Sequence, residues 1–371
     1  MKTRRRGKRF SSEHIVWVKT ILKPPVEGGK IPAMRRLAGI CACLAASACG
    51  PSADAPEPVR RGIQALRELQ EPDGAWRSKF YPDLKTGLPL TALALFAFSR
   101  LPGPPEAKTA IEFLSKHLDA NGQVGNEYPN FTTGMTLRAF RVYRPPGWEE
   151  STRRMADYLV KAQVAESSGW APDDPGYGAW GLGGLPLRQR EVLRLDISST
   201  RWALEALAEA GRIDEIRDKA LRFVTRCQND DGGFFYSPAA PNQNKTDPTG
   251  GVFPSYGSAT ADGILALRAL GEPERGGRAC AWLDRNFSAE RTPGFPAASP
   301  VRWDQGLLFY YLVAAAAAVE DPDRRRAIIG RLKTLQGRDG LWANKSAVMK
   351  EDEPIIATCF ALLAISYGLG D

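Results

Sequence analysis

Apolar positions in this chain fall into helical runs of two alternating kinds. In the first kind they form a single stripe. Ala220, Phe223, Val224 and Cys227 stand at i, i+3, i+4 and i+7, the spacing of a helix with one buried face. In the second kind they cover nearly the whole helix. Thr91, Thr133, Thr200, Thr260 and Thr358 each open such a run, with apolar residues at +4 and +7. Those residues are Leu95/Phe98, Leu137/Phe140, Leu204/Leu207, Ile264/Leu267 and Leu362/Ile365. A sixth run puts Gln305 in the threonine slot, followed by Phe309 and Leu312. From Val59 onward the two kinds alternate as six helix pairs, and strand-like runs are scarce.

Between the members of a pair lies a glycine turn, at Gly74, Gly122, Gly169, Gly232, Gly294 and Gly340. An aromatic follows in most units: Trp76, Trp170, Phe234, Phe295 and Trp342, with Val124 in the second. Three turns share a sharper register, Gln-x-x-Asp-Gly-x-aromatic, beginning at Gln70, Gln228 and Gln336. Each residue type has a structural task. The glutamine can bond free backbone groups at a helix end, and Asp-Gly makes a tight turn. The aromatic lies back on the helix ends and buries a large surface. Asp73, Asp230, Asp231 and Asp339 are therefore read as turn residues and not as acids for chemistry.

Helices apolar on all sides must be buried on all sides. Six hairpins achieve this by closing into a circle, apolar helices inside and amphipathic ones outside. A closed circle also removes the ends that an open array must cap. The pattern predicts an all-α chain forming an α/α toroid of six hairpins over residues 59–371. The alternative is an open solenoid.

Charge changes the picture at one end only. The chain carries 50 Lys/Arg and 42 Asp/Glu, a net +8, but 11 of the basic and 2 of the acidic residues lie in residues 1–49. The remaining 39 basic and 40 acidic residues nearly cancel, so the body offers no electrostatic draw for nucleic acid. Met34-Arg35-Arg36, the apolar run Leu37 to Ala48 and Cys49-Gly50 have the order of a secretory leader. Cys49 after Ala46-Ser47-Ala48 resembles a bacterial lipobox, which implies lipidation of Cys49, export and a membrane anchor. Residues 1–33 fit neither part of a leader and read as an extension upstream of Met34. Residues 50–58 read as a tether. The body's three cysteines, Cys227, Cys280 and Cys359, form no C-x-x-C pair, which disfavours a compact zinc site. The longest apolar stretch, Leu307 to Val319, falls short of the roughly 20 residues that span a bilayer.

The Gln-x-x-Asp-Gly-x-Trp register, followed by a helix of the type Ser-x-Thr-x-x-x-Leu-x-x-Leu, resembles the repeats of squalene-hopene cyclases and protein prenyltransferase β subunits. The resemblance runs from about Val59 to Tyr367 and covers a single toroid, without the cyclases' second helical domain. It implies a central apolar cavity that accepts isoprenoid chains, and so an isoprenoid or lipid-like small molecule as partner. The family's chemistry is not retained. Class II cyclases protonate with the central Asp of Asp-x-Asp-Asp-Thr. The matching segment here is Asp196-Ile197-Ser198-Ser199-Thr200, where a serine hydroxyl cannot serve as a strong acid. Tyr256-Gly257-Ser258-Ala259-Thr260 does no better, and Asp173-Asp174 runs into a Pro-Gly turn. The zinc-dependent prenyltransferases need an inward histidine. The two histidines are His14, in the leader region, and His117, at the end of an outer helix. Neither a metal nor another cofactor is expected.

The chemistry that remains sits where the inner helices start. Asp196, Tyr256, Asp304 and Asp262 are the candidate catalytic groups. Thr133, Ser198, Thr200, Ser258, Thr260, Trp303, Gln305 and Thr358 are the candidate ligand-binding ones. Converging helix N-termini would favour an anionic or polar headgroup there, although Thr and Ser also serve as caps. Asp262 lies inside an apolar helix and needs a partner, for which Arg201 or Arg268 is in reach. Three functions fit this pattern: an isoprenoid-handling enzyme, a non-catalytic binding or scaffold protein on the same fold, and a carbohydrate lyase or hydrolase. The last would use Trp180, Trp202 or Trp303 as sugar platforms and needs paired carboxylates. The stretch Trp170 to Arg190 could cover the mouth.

Overall fold

A computed structural model describes residues 55–183 and 194–369. Cys49, the leader and most of the tether lie outside the described residues, as does part of the stretch from Trp170 to Arg190. The described residues form thirteen α-helices joined by turns and short 3-10 segments, with only isolated β-bridges between them.

Six helices are inner: α2 (Leu88–Ser99), α4 (Pro129–Tyr143), α6 (Ile197–Glu209), α8 (Gly257–Ala269), α11 (Leu308–Ala318) and α13 (Pro354–Ser366). Each packs on the next, and α13 returns to α2, so the ring is closed. Every residue of α2 and of α11 is buried, as the all-round apolar pattern requires. The outer helices are α1 (Glu57–Leu69), α3 (Lys108–Lys116), α5 (Trp148–Lys161), α7 (Arg217–Arg226), α9 (Gly277–Asn286) and α12 (Pro322–Leu335). They bury one stripe each: on α7 it is Ala220, Phe223 and Val224, with Cys227 buried at its C-cap. The four-residue helix α10 (Trp303–Gly306) precedes α11. The expected six-hairpin toroid is the observed fold.

The repeated register is the staple of this ring. Gln70, Gln228 and Gln336 donate to the carbonyls of Gly74, Gly232 and Gly340 at 2.9, 3.0 and 2.8 Å. Asp73, Asp231 and Asp339 accept the N–H two residues on. The Trp76, Trp180 and Trp342 indoles donate to the carbonyls of Leu66, Leu159 and Leu332 on the preceding outer helix, at 2.7 to 2.8 Å.

Two units depart from the expected register. In the third, the turn glycine is Gly178 and the stapling aromatic is Trp180, not Gly169 and Trp170. Gln163 donates to the Gly178 carbonyl at 3.2 Å, and a β-carbon on Gly178 would lie 1.8 Å from the Lys219 carbonyl oxygen. The Gln-to-Gly separation is 15 here against 4 in the first unit, so residues 164–177 contain an insertion of 15 − 4 = 11 residues inside the motif. In the fifth unit Gln305 does not open the inner helix. Leu307 separates α10 from α11, and the Glu351 carboxylate accepts the N–H groups of Phe309 and Tyr310 at 3.0 and 2.8 Å. The helix therefore starts three residues after the expected slot and is capped from another unit.

Candidate functional site

All six inner helices begin at the same end of the ring, which forms its mouth. The threonines that mark these starts are fully buried, and their hydroxyls are used by the scaffold. Thr91, Thr133, Thr200, Thr260 and Thr358 accept the backbone N–H of Trp76, Val124, Trp180, Phe234 and Trp342, at 2.9 to 3.1 Å. Each bond ties an inner-helix start to the turn before it. The ring of threonines is thus a ring of braces around the mouth.

Inside the ring lies a chain of buried charges. Arg138 on α4 pairs with Glu205 at 2.9 Å and with Glu209 at 3.2 Å, both on α6. Glu205 also holds Arg201, one turn earlier, at 3.1 Å. Arg201 then reaches Asp262 on α8 at 2.8 Å. Asp262 accepts a hydrogen bond from Ser198 at 2.5 Å and another from the Tyr310 hydroxyl on α11. The network crosses four of the six inner helices. Of the two partners expected for Asp262, Arg201 is the one that binds it; Arg268 turns outward to Glu320. Aromatic rings insulate the network, with Arg138 lying 4.4 Å over Phe96 and Trp202 packed edge-on to Phe131 at 4.9 Å. Burial pushes Glu205 up to about 7 against the pull of Arg201 and Arg138. Asp262 is engaged by a guanidinium and two hydroxyls from α6 and α11, so its oxygens are taken up by the scaffold.

The other candidates are spread around the rim. Asp196 caps α6 and accepts both the N–H and the hydroxyl of Ser199 at 2.6 Å. Tyr256 is buried at the start of α8 with its ring 4.9 Å from Phe295. Ser258 is buried one residue into the first turn of α8. Asp304 is held by Arg302 at 2.8 and 2.7 Å, and this guanidinium keeps its carboxyl below the usual carboxylate range. Gln305 donates to the Glu290 carbonyl at 3.5 Å. Ser198, Arg201, Asp262 and Tyr310 come together; Asp304 and Gln305 stand apart on the α10 segment.

Between the starts of α2, α4 and α13 lies an apolar pocket. Leu84, Pro89, Leu90, Leu93, Tyr128, Phe131, Leu182 and Ile356 line it, and its free volume is about 10 Å³. Its rim is polar. The Tyr128 hydroxyl and the Lys350 ammonium both bind Asp83, and Tyr128 and Lys350 are two of three non-glycine residues with a left-handed backbone among the described residues. Backbone strain of this kind persists only where surrounding contacts impose it. Sequence reasoning missed this trio because its members come from three separate loops.

The sugar-platform expectation fails for two of its tryptophans. Trp180 and Trp202 are buried in the scaffold at 0% and 2% exposure, so neither presents a face to a ligand. His117 ends α3 and bonds the Phe113 carbonyl of its own helix through Nδ1 at 2.8 Å.

No protein-family model and no curated protein matches this chain. Solved structures do match in fold. The type II terpene cyclase MstE from Scytonema is 14% identical, with a TM-score of 0.51 over 83% of this chain and 96% of that one. A point variant of that enzyme has also been solved with geranylgeranyl dihydroxybenzoate as substrate. An unsaturated glucuronyl hydrolase specific for heparin is 14% identical, with a TM-score of 0.53 over 85% and 96%. An α-amylase from Clostridium perfringens is 11% identical, with a TM-score of 0.54 over 84% and 99%. Likeness at this level establishes the terpenoid cyclase-like α/α toroid and leaves the reaction open.

Proposed function

We propose that this chain is an isoprenoid-binding protein on the terpenoid cyclase-like fold, exported and held at the cell envelope through Cys49, and that it lacks a cyclase's initiating acid. The observation that carries this reading is the pairing of an apolar mouth pocket with an interior whose carboxylates are committed to one another's partners. The pocket lining is hydrocarbon and aromatic carbon, from Leu84 to Ile356. Such a surface gains free energy by covering an apolar chain, roughly 25 cal/mol per Å² removed from water. As it stands the pocket has room for about one water. An isoprenoid chain enters only if Leu90, Leu93 and Phe131, all buried, give way; their side chains make no hydrogen bond, so the cost is one of packing. Tyr128 stays, since Asp83 holds its hydroxyl.

The bound geranylgeranyl group of the Scytonema cyclase favours an isoprenoid as the apolar chain. A carbohydrate reading is weaker. Hydrolysis by paired carboxylates needs two acids facing one open space. Here Arg201 stands between Glu205 and Asp262, and all three are buried.

Native mass spectrometry and lipid extraction of the chain from Pro51 to Asp371 test the proposal. A co-purifying prenyl lipid, or saturable binding of geraniol or geranylgeraniol, is the expected result. Clean protein that binds neither alcohol overturns it. Export and lipidation are tested separately, by the mass of the mature chain and its loss on Cys49→Ser.

A further inference from the structure

The loop between α7 and α8 buries a lysine without an acidic partner. Lys245 is 9% exposed. Its ammonium lies 3.8 Å from the ring centre of Tyr236 and 5.6 Å from that of Trp303. It donates to the Gln243 carbonyl at 2.7 Å, and among the described residues no carboxylate is within ion-pair distance. Asp196, the cap of α6, acts on it from further away. A lysine that only anchored a loop would keep its head in water or against a carboxylate. Burial instead draws this amine down to about 8, against the pull of Asp196.

The second observation is independent of charge. Two buried polar atoms on the same loop as Lys245, Gln243 Oε1 and Thr246 Oγ1, have no hydrogen-bond partner among the described residues, and the buried Tyr236 hydroxyl has only the Asp196 carboxylate to lean on. Buried polar atoms nearly always find partners, so an acceptor without one has capacity left for a water or a ligand. The loop therefore carries an amine laid over two aromatic rings, with a tyrosine hydroxyl on one of those rings and two acceptors close by in the chain. That set matches a carbonyl group on an apolar chain. The hydroxyl can donate to the carbonyl oxygen, the amine can reach its carbon, and Tyr236 and Trp303 can flank the chain.

We propose that Lys245 is a covalent capture site for an apolar aldehyde or ketone, which it binds as a Schiff base at the mouth of the ring. This rests on the mouth being an isoprenoid site, and it specifies the ligand's functional end. The neutral Nζ adds to the carbonyl carbon, forming the C–N bond. The carbonyl oxygen takes a proton, with the Tyr236 hydroxyl hydrogen-bonded to it, and a carbinolamine results. Loss of that oxygen as water leaves C=N. Gln243 Oε1 and Thr246 Oγ1, on the same loop, offer acceptors for the released water. One carbonyl and one amine give one imine and one water, so no oxidant or reductant is consumed. Asp196 supplies negative charge toward the protonated imine.

The test treats the full chain with geranial, an isoprenoid aldehyde, under sodium cyanoborohydride at pH 7.5, and maps reduced adducts by peptide mass spectrometry. Lys245 should be labelled about tenfold faster than the mean of the other lysines, because a desolvated amine holds more of its neutral form. Tyr236→Phe should slow that labelling several-fold, and Lys245→Arg should abolish it while leaving the remaining lysines unchanged. Labelling spread evenly over the lysines, or Lys245 slower than the rest, overturns the proposal on the wild-type chain alone. Geraniol, which has no carbonyl, separates the two readings. Geraniol binding without Lys245 labelling sinks the capture site and keeps the pocket. Labelling without geraniol binding does the reverse.

Discussion

Gly340, in the last turn of the ring, is seated on Arg61 in the first helix. A β-carbon at Gly340 would stand 2.8 Å from the Arg61 carbonyl oxygen. Around this contact Arg61 donates to the Gly337 carbonyl at 2.7 Å, and Gln336 donates to the Pro58 carbonyl at 2.9 Å. The two ends of the repeat array thus meet through the same staple that joins neighbouring units elsewhere. Closure is an ordinary inter-repeat contact made at a sequence separation of 276 residues.

That contact gives the first prediction. Gly340→Ala combines a left-handed backbone, φ +85°, with a clash against main chain that cannot swing away. It should cost about 2–4 kcal/mol. Gly211→Ala is the control. Gly211 also has positive φ, +73°, but a β-carbon there meets nothing within 4 Å, so only the conformational cost of about 1 kcal/mol remains. Urea unfolding followed by circular dichroism measures both. Equal losses at the two glycines would mean the seam does not bear on closure.

The threonine braces give the second. Thr358→Val removes the acceptor for the buried Trp342 N–H and keeps the side-chain shape. An orphaned buried donor costs about 1–3 kcal/mol. Thr91→Val, at the equivalent brace to Trp76, should cost a similar amount, and the double variant should lose close to the sum. Serine at either position should recover most of the loss. If valine is tolerated at both positions without a change in the urea midpoint, the braces contribute nothing and the threonines are free for another task.

These braces explain what was legible in the sequence. Ring closure, helix order and the stapling register all follow from a repeat that places one residue type at one task. Where a unit is interrupted, the reading slips. Gly169-Trp170 imitates the motif inside an insertion, while the true turn, Gly178-Ala179-Trp180, lies beyond it. Gln305 aligned by counting, but Glu351 from another unit decides where α11 begins. The charge network was half visible. Arg201 and Glu205 stand one turn apart in an apolar helix, and Asp262 called for a partner, but nothing in the sequence tied Arg138 to them. Lys245 was invisible. A lysine among Pro, Asn and Gln reads as solvated loop, and only the fold lays that loop over two aromatic rings.

The buried pair Arg201–Asp262 gives the third prediction. Asp262→Asn keeps the size but leaves the guanidinium without that counter-charge, which should cost about 3–5 kcal/mol. Replacing both partners by apolar residues, Arg201→Met with Asp262→Leu, should cost less than the two single changes together. A double-mutant cycle in urea measures the coupling. Geraniol binding per folded molecule should be unchanged in Asp262→Asn, because this carboxylate holds the scaffold and does not touch the pocket lining. A folded Asp262→Asn protein that loses binding would assign Asp262 to the ligand.

The pH dependence of stability isolates Lys245. Its amine is lowered to about 8 in the folded chain, from an ordinary 10.5. Between these values the unfolded chain binds more protons than the folded one, so the free energy of unfolding rises with pH. The cost of burying the ammonium is fully present below about 8 and is relieved as the pH climbs above it. From pH 7.5 to 9.5 the gain should be at most about 2 kcal/mol. Lys350, also lowered by burial, adds a slope of the same sign. Glu351, pushed up to about 8 by burial, adds the opposite slope between 4.5 and 8. The buried tyrosines, raised above their usual 10, act only beyond this range. All of these are common to wild type and Lys245→Met and cancel in the difference between them. The variant's urea midpoint should therefore rise less over this window than the wild type's. Parallel curves would mean that Lys245 keeps its proton through the window, and that the folded chain holds no neutral amine to capture a carbonyl.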